Sequence, residues 1–429
     1  MKIRVSPSEV SGRVSAPPSK SYSHRAVLAG SLSDEARVLD PLMSADIRAS
    51  IRCAEGFGAE VEDEDEDDGS LSVDGVSCSP ETPDDVLDCG NSGTTLRLFT
   101  GTAAVTDDTT VLTGDRSLRS RPNDPLLKSV SELGSDAFST RRNGCAPLVV
   151  DGRIDRRETS IDGTVSSQFI SSLLFAAPLT PDGVDIEIEN ELRSRPYVDI
   201  TLEVLDEAGI DYEETQAGFD VEGDQTYDLG EFRVPGDFSS ASYPLAAGAI
   251  AGGEVEVENL FPGPQGDSVI LDVLDRMGAD IDWDTEEGVV RVTSGDLSGT
   301  EFDASDSPDL VPTVAVLGAV AQGETRIYDA EHLRYKETDR LAVITEELRK
   351  LGAEVEEGQD YLVVDGDATD LRGADVSGHH DHRIVMALSL AGLVADGETV
   401  VDTAETVSVS YPDFVEAMGS LGAEIESGE

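Results

Sequence analysis

Apolar and polar positions along the chain fall into a unit that recurs six times. A helix-ending glycine followed by a short acidic strand appears as FGAEVED, LGSDAFS, AGIDYEE, MGADIDW, LGAEVEE and LGAEIES, with the glycines at Gly58, Gly134, Gly209, Gly278, Gly352 and Gly422. By subtraction these lie 76, 75, 69, 74 and 70 residues apart. Glycine suits the position because a helix often closes on a left-handed residue, where a side chain is strained. A second series runs in step: six Ala/Leu-rich helical segments open from polar loops at Ser21, Ser92, Ser167, Ser239, Ser307 and Asp381, spaced by 71, 75, 72, 68 and 74. Each copy reads as loop, first helix, strand, loop, second helix, glycine stop, strand, strand. First helices are predicted at Arg25 to Leu32, Phe169 to Ala177 and Pro312 to Val320, and the strands after them at Val184 to Ile188 and Glu254 to Glu258.

Five copies close with a strand ending near a glycine: Leu71 to Gly75, Leu148 to Gly152, Phe219 to Gly223, Val289 to Thr293 and Leu362 to Gly366. The sixth stops at Glu429 before any such strand, while Lys2 to Ser6 reads as a strand with no copy of its own. The N-terminal segment is therefore expected to complete the last repeat, with the chain crossing between domains near Pro18 and near Pro235. The predicted domains are residues 19 to 235, with three copies, and residues 236 to 429 plus 1 to 18, with the other three. A single solenoid of six repeats is the competing arrangement. The acidic run Glu62 to Asp68 reads as a solvated turn.

Composition sharpens this α/β picture. The 429 residues include 88 acidic against 31 basic ones, a formal charge of -57. Such a surface repels nucleic acid and anionic membrane, and suits a concentrated-salt cytoplasm. In about 1 M salt the Debye length is near 3 Å, so surface repulsion barely reaches an incoming anion. The four cysteines, Cys53, Cys78, Cys89 and Cys145, form no CxxC pair and fit a reducing interior. No apolar signal segment opens the chain, and apolar runs such as Leu310 to Ala321 are too short for a bilayer, so a soluble, cytoplasmic protein is expected.

Against this composition the stretch Pro17-Pro18-Ser19-Lys20-Ser21-Tyr22-Ser23-His24-Arg25 stands out: it gathers three basic side chains and three serine hydroxyls with no carboxylate. It reads as an anion site at a helix start, beyond simple capping. Each helix N-terminus favours an anion by about 0.3 to 2 kcal/mol. A cation 4 Å away gives about 4 kcal/mol at an effective dielectric near 20. Arg and Lys in the loops therefore decide where an anion can bind. The second, Asp88-Cys89-Gly90-Asn91-Ser92-Gly93-Thr94-Thr95-Leu96-Arg97, allows close approach of backbone N–H groups to an oxyanion, although it is also an ordinary turn. Arg116, Arg119 and Arg121 follow, of which one is expected to face the site. The third copy supplies Ser166-Ser167-Gln168 and Arg193-Ser194-Arg195-Pro196-Tyr197, donors and acceptors suited to a polyhydroxylated phosphate ester. The cation-free fourth loop, Pro235 to Ser240, reads as structural or a hinge. In the fifth, Asp309 precedes Arg334-Tyr335-Lys336-Glu337-Thr338-Asp339-Arg340, where Lys336 and Arg340 are expected on one helix face with Glu337 beside them as a proton carrier. The sixth, Gly378-His379-His380-Asp381-His382-Arg383, invites a metal reading, but its histidines are nearly consecutive and Arg383 is a poor neighbour for a cation.

Taken together, PPSKSYSHR, GNSGTTLR, RSRPNDPL, VSSQF, RSRPYVDIT, GDFSSASYPLAA, RYKETDRL, HHDHRIVMA and VSYPDF resemble 5-enolpyruvylshikimate-3-phosphate synthase, the carboxyvinyl transferase of the shikimate pathway to chorismate and aromatic amino acids. The resemblance spans nearly the whole chain in order. It implies an inside-out α/β barrel of two domains, each of three βαβαββ units, closing over the substrates. It implies that shikimate 3-phosphate is held by Ser21, Arg25, Ser166, Ser167, Gln168, Ser194, Tyr197, Asp309 and Lys336, and phosphoenolpyruvate by Lys20, Gly93, Arg121, Gln168, Arg340 and Arg383. Proton transfer would fall to Asp309, Glu337 and Lys20. No metal or organic cofactor is implied, and a monomer acting on two small-molecule substrates is expected. The chain departs from the family pattern at Val409, where a Lys is common, at His332, where an Asn is frequent, and at Leu98, where Pro is frequent and sensitivity to the inhibitor glyphosate is affected. Two other readings stand beside this one. A UDP-N-acetylglucosamine enolpyruvyl transferase would share the architecture but usually carries a reactive Cys in the loop held here by Arg116 to Arg121; a non-catalytic acidic cation-binding protein would need neither Lys20 nor Glu337.

Overall fold

The computed structural model describes residues 1–64 and 69–428. Of the predicted acidic turn, Glu62, Asp63 and Glu64 end the strand Glu60–Glu64, and residues 65–68 lie outside the described residues. The described chain forms twelve α-helices: α1 (Lys20–Leu32), α2 (Ala45–Gly56), α3 (Gly93–Ala103), α4 (Asp124–Glu132), α5 (Ser167–Ala176), α6 (Arg195–Glu207), α7 (Phe238–Ile250), α8 (Ile270–Met277), α9 (Val311–Val320), α10 (Arg340–Lys350), α11 (His382–Gly392) and α12 (Phe414–Ser420). Six four-stranded sheets accompany them. The chain divides into two compact units, a first of Pro18–Val234 and a second of Met1–Pro17 with Pro235–Glu429.

Every copy is built alike. In the second copy, Leu87–Asp88 pairs parallel with Thr109–Thr113, which pairs antiparallel with Leu148–Asp151, and that strand pairs antiparallel with Asp136–Ser139. The short strand ahead of each first helix was not anticipated from the pattern: it is a two-to-five-residue edge with little room to show a period. The predicted glycine stops all adopt positive φ, from 75° at Gly209 to 111° at Gly134, as a left-handed helix closure requires. The strand missing from the sixth copy is Lys2–Ser6, which lies between Thr399–Asp402 and Glu424–Gly428 and pairs antiparallel with both. In the same way Gly12–Ser15 supplies the parallel edge of the fourth copy and Gly230–Arg233 that of the first.

Helices take the interior of each unit. Residues of α1, α5, α7, α9 and α11 are buried almost all round, because these helices carry Ala, Leu, Val, Ser and Gly on every face. The second helices keep a polar face and lie further out. The strands present alternate residues to this helical core, as in Lys2–Ser6, where Ile3 and Val5 are buried between exposed neighbours. Each unit thus has its own apolar cluster with helices inside and sheets around them, an inside-out α/β barrel.

Candidate functional site

In the first unit the starts of α1, α3 and α5 carry the predicted residues. Lys20 opens α1, with Nζ 3.5 Å from Asp46 Oδ2 at the start of α2. The stretch without a carboxylate in sequence therefore gains one in space. Arg25, one turn further, is almost fully buried: Nε donates to Thr201 Oγ1 at 2.7 Å, Nη1 to the Ser21 carbonyl at 2.8 Å, and Nη2 to the Tyr197 carbonyl at 2.8 Å and Ser171 Oγ at 3.3 Å. Burial pulls its pKa down to about 10. Most of its N–H groups brace α1 against α5 and α6, so Arg25 shapes the loops around Ser21 and Tyr197 as much as it offers charge.

At α3, Ser92 caps the helix by accepting from Thr95 N at 3.1 Å. A Cβ on Gly93 would stand 3.3 Å from Arg121 Nη1 and 3.8 Å from Arg97 Nη1, so the missing side chain lets two guanidinium groups approach the helix start. Arg121 is nine-tenths buried and donates from Nη2 to Asn91 Oδ1 at 2.9 Å, while its Nε has no acceptor among the described residues. Arg116 and Arg119 of the same loop are exposed. Two cations beside the positive end of a helix are costly unless an anion joins them. Arg97, which the sequence reading did not single out, donates from Nη1 to Gln168 Oε1 at 2.7 Å and from Nε to Asn123 Oδ1 at 3.2 Å, and its guanidinium lies over the Phe169 ring. Gln168 Nε2 donates in turn to Thr94 Oγ1 at 2.8 Å. Ser166 caps α5 through Gln168 N, Ser167 opens that helix, and Ser194 holds a left-handed φ of 55° just before α6.

The second unit gathers the other set. Arg340 is the first residue of α10 and is buried; Nη1 meets Asp309 Oδ1 at 2.6 Å, Nη2 meets Glu337 Oε2 at 2.6 Å, and Nε meets Asp381 Oδ2 at 2.8 Å. Burial works against its charge, but Asp381, Glu337 and Asp309 outweigh it and hold the guanidinium well above its ordinary pKa. Arg383, on the first turn of α11, is equally buried; Nη2 reaches Asp309 Oδ2 at 3.2 Å. Its Nε and Nη1 are buried with no acceptor among the described residues. Asp381 caps α11 by accepting from Arg383 N at 3.0 Å, so one carboxylate aligns both arginines. The expectation that Lys336 and Glu337 share a helix face with Arg340 is corrected: Asp339 is the N-cap, accepting from Ala342 N at 3.1 Å, and Lys336 is extended ahead of it. Glu337 reaches Arg340 from this non-helical segment. The histidines of the sixth loop take separate partners, His379 on Glu347 at 2.7 Å and His380 near Glu405 at 3.8 Å, while His382 is buried beside Asp381.

The profile of the family described as EPSP synthase (3-phosphoshikimate 1-carboxyvinyltransferase) matches residues 5–418. The chain belongs to the EPSP synthase family. A 3-phosphoshikimate 1-carboxyvinyltransferase from Halobacterium salinarum is 56% identical over 432 residues, covering 99% of this chain and 100% of that protein. One from Methanosarcina acetivorans is 53% identical over 431 residues, covering 99% of both. The EPSP synthase structure from Acinetobacter baumannii superposes with a TM-score of 0.85 at 26% identity, over 100% of both chains. Within this EPSP synthase fold, Leu98 is a buried core residue of α3 and Val409 closes the 3-10 turn Ala404–Val409. Asp46, Arg97 and Asp381 were missed from sequence because they act on other side chains. Among 88 acidic residues a single buried Asp carries no compositional signal. No helix of the described residues is long and apolar enough to cross a membrane.

Proposed function

We propose that this chain transfers the carboxyvinyl group of phosphoenolpyruvate to the 5-hydroxyl of shikimate 3-phosphate and releases phosphate. Family membership over nearly the whole chain is the warrant for the reaction. The observation that carries the chemistry is the joining of Asp309 and Glu337 by one buried guanidinium, Arg340, with Arg383 beside them holding two unmatched buried N–H groups. In the first step the 5-hydroxyl oxygen bonds to C2 of phosphoenolpyruvate as its O–H bond breaks and its proton passes to a base, while C3 gains a proton. In the second the C2–phosphate bond breaks and C3 returns a proton, restoring the vinyl group. Asp309, Glu337 and Lys20 are the proton carriers in this scheme. Lys20, Gly93, Arg121, Gln168, Arg340 and Arg383 hold phosphoenolpyruvate, and the cations stabilise its carboxylate and the departing phosphate. Ser21, Arg25, Ser166, Ser167, Gln168, Ser194, Tyr197, Asp309 and Lys336 hold shikimate 3-phosphate. The charge needed comes from side chains, so the scheme calls for no metal or organic cofactor. The two units act as its domains, and the enzyme works as a monomer in the cytoplasm.

Phosphate release from the two substrates in strong KCl tests the proposal. Glu337→Ala and Lys20→Met should each lose activity by about a hundredfold or more, the scale of a positioned proton-transfer group. Activity surviving both substitutions removes the mechanism, and release only when a UDP sugar replaces shikimate 3-phosphate reassigns the substrate.

A further inference from the structure

The turn that delivers Asp381 keeps a shape that its own residues do not favour. Between the strand Asp375–Ser377 and α11, His379 and His380 take left-handed φ of 51° and 60°, which residues with a side chain seldom hold in succession. Gly378 lies flush on α11: a Cβ there would stand 2.1 Å from Val385 Cγ2 and 2.8 Å from Thr403 Oγ1. On one side the turn is tied to the strand Thr399–Asp402 and the residue after it. Ser377 Oγ donates to Asp402 Oδ1 at 2.6 Å, and His380 N to Thr403 Oγ1 at 3.2 Å. On the other side it is tied to α10 at both ends. At the start of α10, Asp381 Oδ2 accepts from Arg340 Nε at 2.8 Å. Two turns along the same helix, about 10 Å further, the fully buried Glu347 holds the other end: Oε2 accepts from Ser377 N at 3.0 Å, and Oε1 lies 2.7 Å from His379 Nε2 and 2.7 Å from Lys350 Nζ.

We propose that Glu347 is a positioning residue of the anion site: by holding Ser377 and His379 against α10, it keeps Asp381 placed on Arg340 and on the first turn of α11, which carries Arg383. This rests on the functional reading above, which supplies phosphoenolpyruvate as the anion. Strained backbone persists where its surroundings over-determine it, and here the bonds from Glu347 are part of that determination. Without them the turn is held to α10 only through Asp381, and relaxing His379 and His380 swings that carboxylate. Asp381 accepts from both Arg340 Nε and Arg383 N, so its displacement moves both arginines together. A shift of about 1 Å in a binding group can cost up to a hundredfold.

Steady-state kinetics of the full chain in strong KCl test this, with Trp283 unfolding alongside to confirm that each variant is folded. Glu347→Ala should raise KM for phosphoenolpyruvate by about tenfold and leave KM for shikimate 3-phosphate within about twofold. Glu347→Gln keeps both bonds, since its carbonyl accepts from Ser377 N and its amide donates to His379 Nε2 in the other ring tautomer. It should therefore keep KM for phosphoenolpyruvate within about twofold while losing stability with the charge, which separates placement from stability. In an Asp381→Asn background Glu347→Ala should add less than about twofold, because the charge it places is already gone. If Glu347→Ala does not fold, His379→Ala, which removes one of the two bonds, should raise the same KM by about threefold. An unchanged KM for phosphoenolpyruvate in the folded variant, an equal rise in both KM values, or full additivity with Asp381→Asn overturns the inference and leaves the functional reading standing. Should the wild type release no phosphate from the two substrates, that reading falls, and calorimetric titration with inorganic phosphate decides the inference: binding about tenfold weaker in Glu347→Ala supports it, and equal or absent binding in both overturns it.

Discussion

Replacing Asp381 with alanine removes two supports at once. The carboxylate is fully buried; it accepts from Arg383 N at 3.0 Å as the cap of α11 and from Arg340 Nε at 2.8 Å. Losing an N-cap costs about 1 kcal/mol. Breaking a buried ion pair by removing one partner costs about 3–5 kcal/mol. The lower end applies, because Asp309 and Glu337 each remain 2.6 Å from Arg340. Asp381→Ala should therefore destabilise the second unit by about 4 kcal/mol, and Asp381→Asn, an equally good cap without the charge, by about 3 kcal/mol. The single tryptophan, Trp283, is placed to report this. It lies in the strand Asp280–Asp284 of the second unit, donates from its indole to the Leu260 carbonyl at 2.9 Å, and meets Phe238 edge-on. Urea unfolding followed by Trp283 fluorescence at fixed KCl gives midpoint and slope, and so the free energy. If the two variants match each other, Asp381 is not a cap; if alanine costs under about 1 kcal/mol, it does not neutralise Arg340 either.

Three more outcomes are expected. Arg97→Lys loses the fork that holds Gln168 and Asn123, so KM for shikimate 3-phosphate should rise about ten- to a hundredfold with a smaller change in kcat; steady-state kinetics with an unchanged KM would reject this. Glu347 is buried, which opposes its charge, but Lys350, the Ser377 N–H and His379 outweigh burial and hold its pKa below the usual glutamate value. That contribution is complete above the unfolded value of about 4.3 and fades as pH falls through the lower folded one, so Glu347→Gln should cost stability near neutral pH and little in acid. A pH-independent difference in Trp283 unfolding would contradict it. Finally, moving from molar to tenth-molar KCl should lower the melting temperature, since 88 acidic against 31 basic residues then repel over a longer range; a melting curve indifferent to KCl counts against that.

The repeat was legible because it depends on backbone conformation. A glycine in left-handed φ at each helix end is a physical necessity that leaves a mark at all six positions, and the homeless strand Lys2–Ser6 could be assigned because five copies had a partner that the sixth lacked. Short edges such as Leu87–Asp88 and Glu301–Asp303 left no mark, since two or three residues show no period. At the candidate site, cations were easy to find in a chain this poor in lysine, whereas their carboxylate partners were not. Lys20 and Arg340 announced themselves; Asp46 and Asp381 hid among many surface acids and are distinguished only by burial. The helical placing of Lys336 failed because Asp339 offers a better cap than any residue before it.

The position of Lys2–Ser6 fixes a timetable for biosynthesis. Its two neighbours, Thr399–Asp402 and Glu424–Gly428, leave the ribosome about 400 residues after it. At about 5–20 residues per second, Lys2–Ser6 waits roughly 20–80 s for its mates. Pro18–Val234 has all its pairing partners long before then. A nascent chain thus carries one finished half and one strand, with Ile3 and Val5 uncovered, that must be kept from pairing with other chains until those mates emerge.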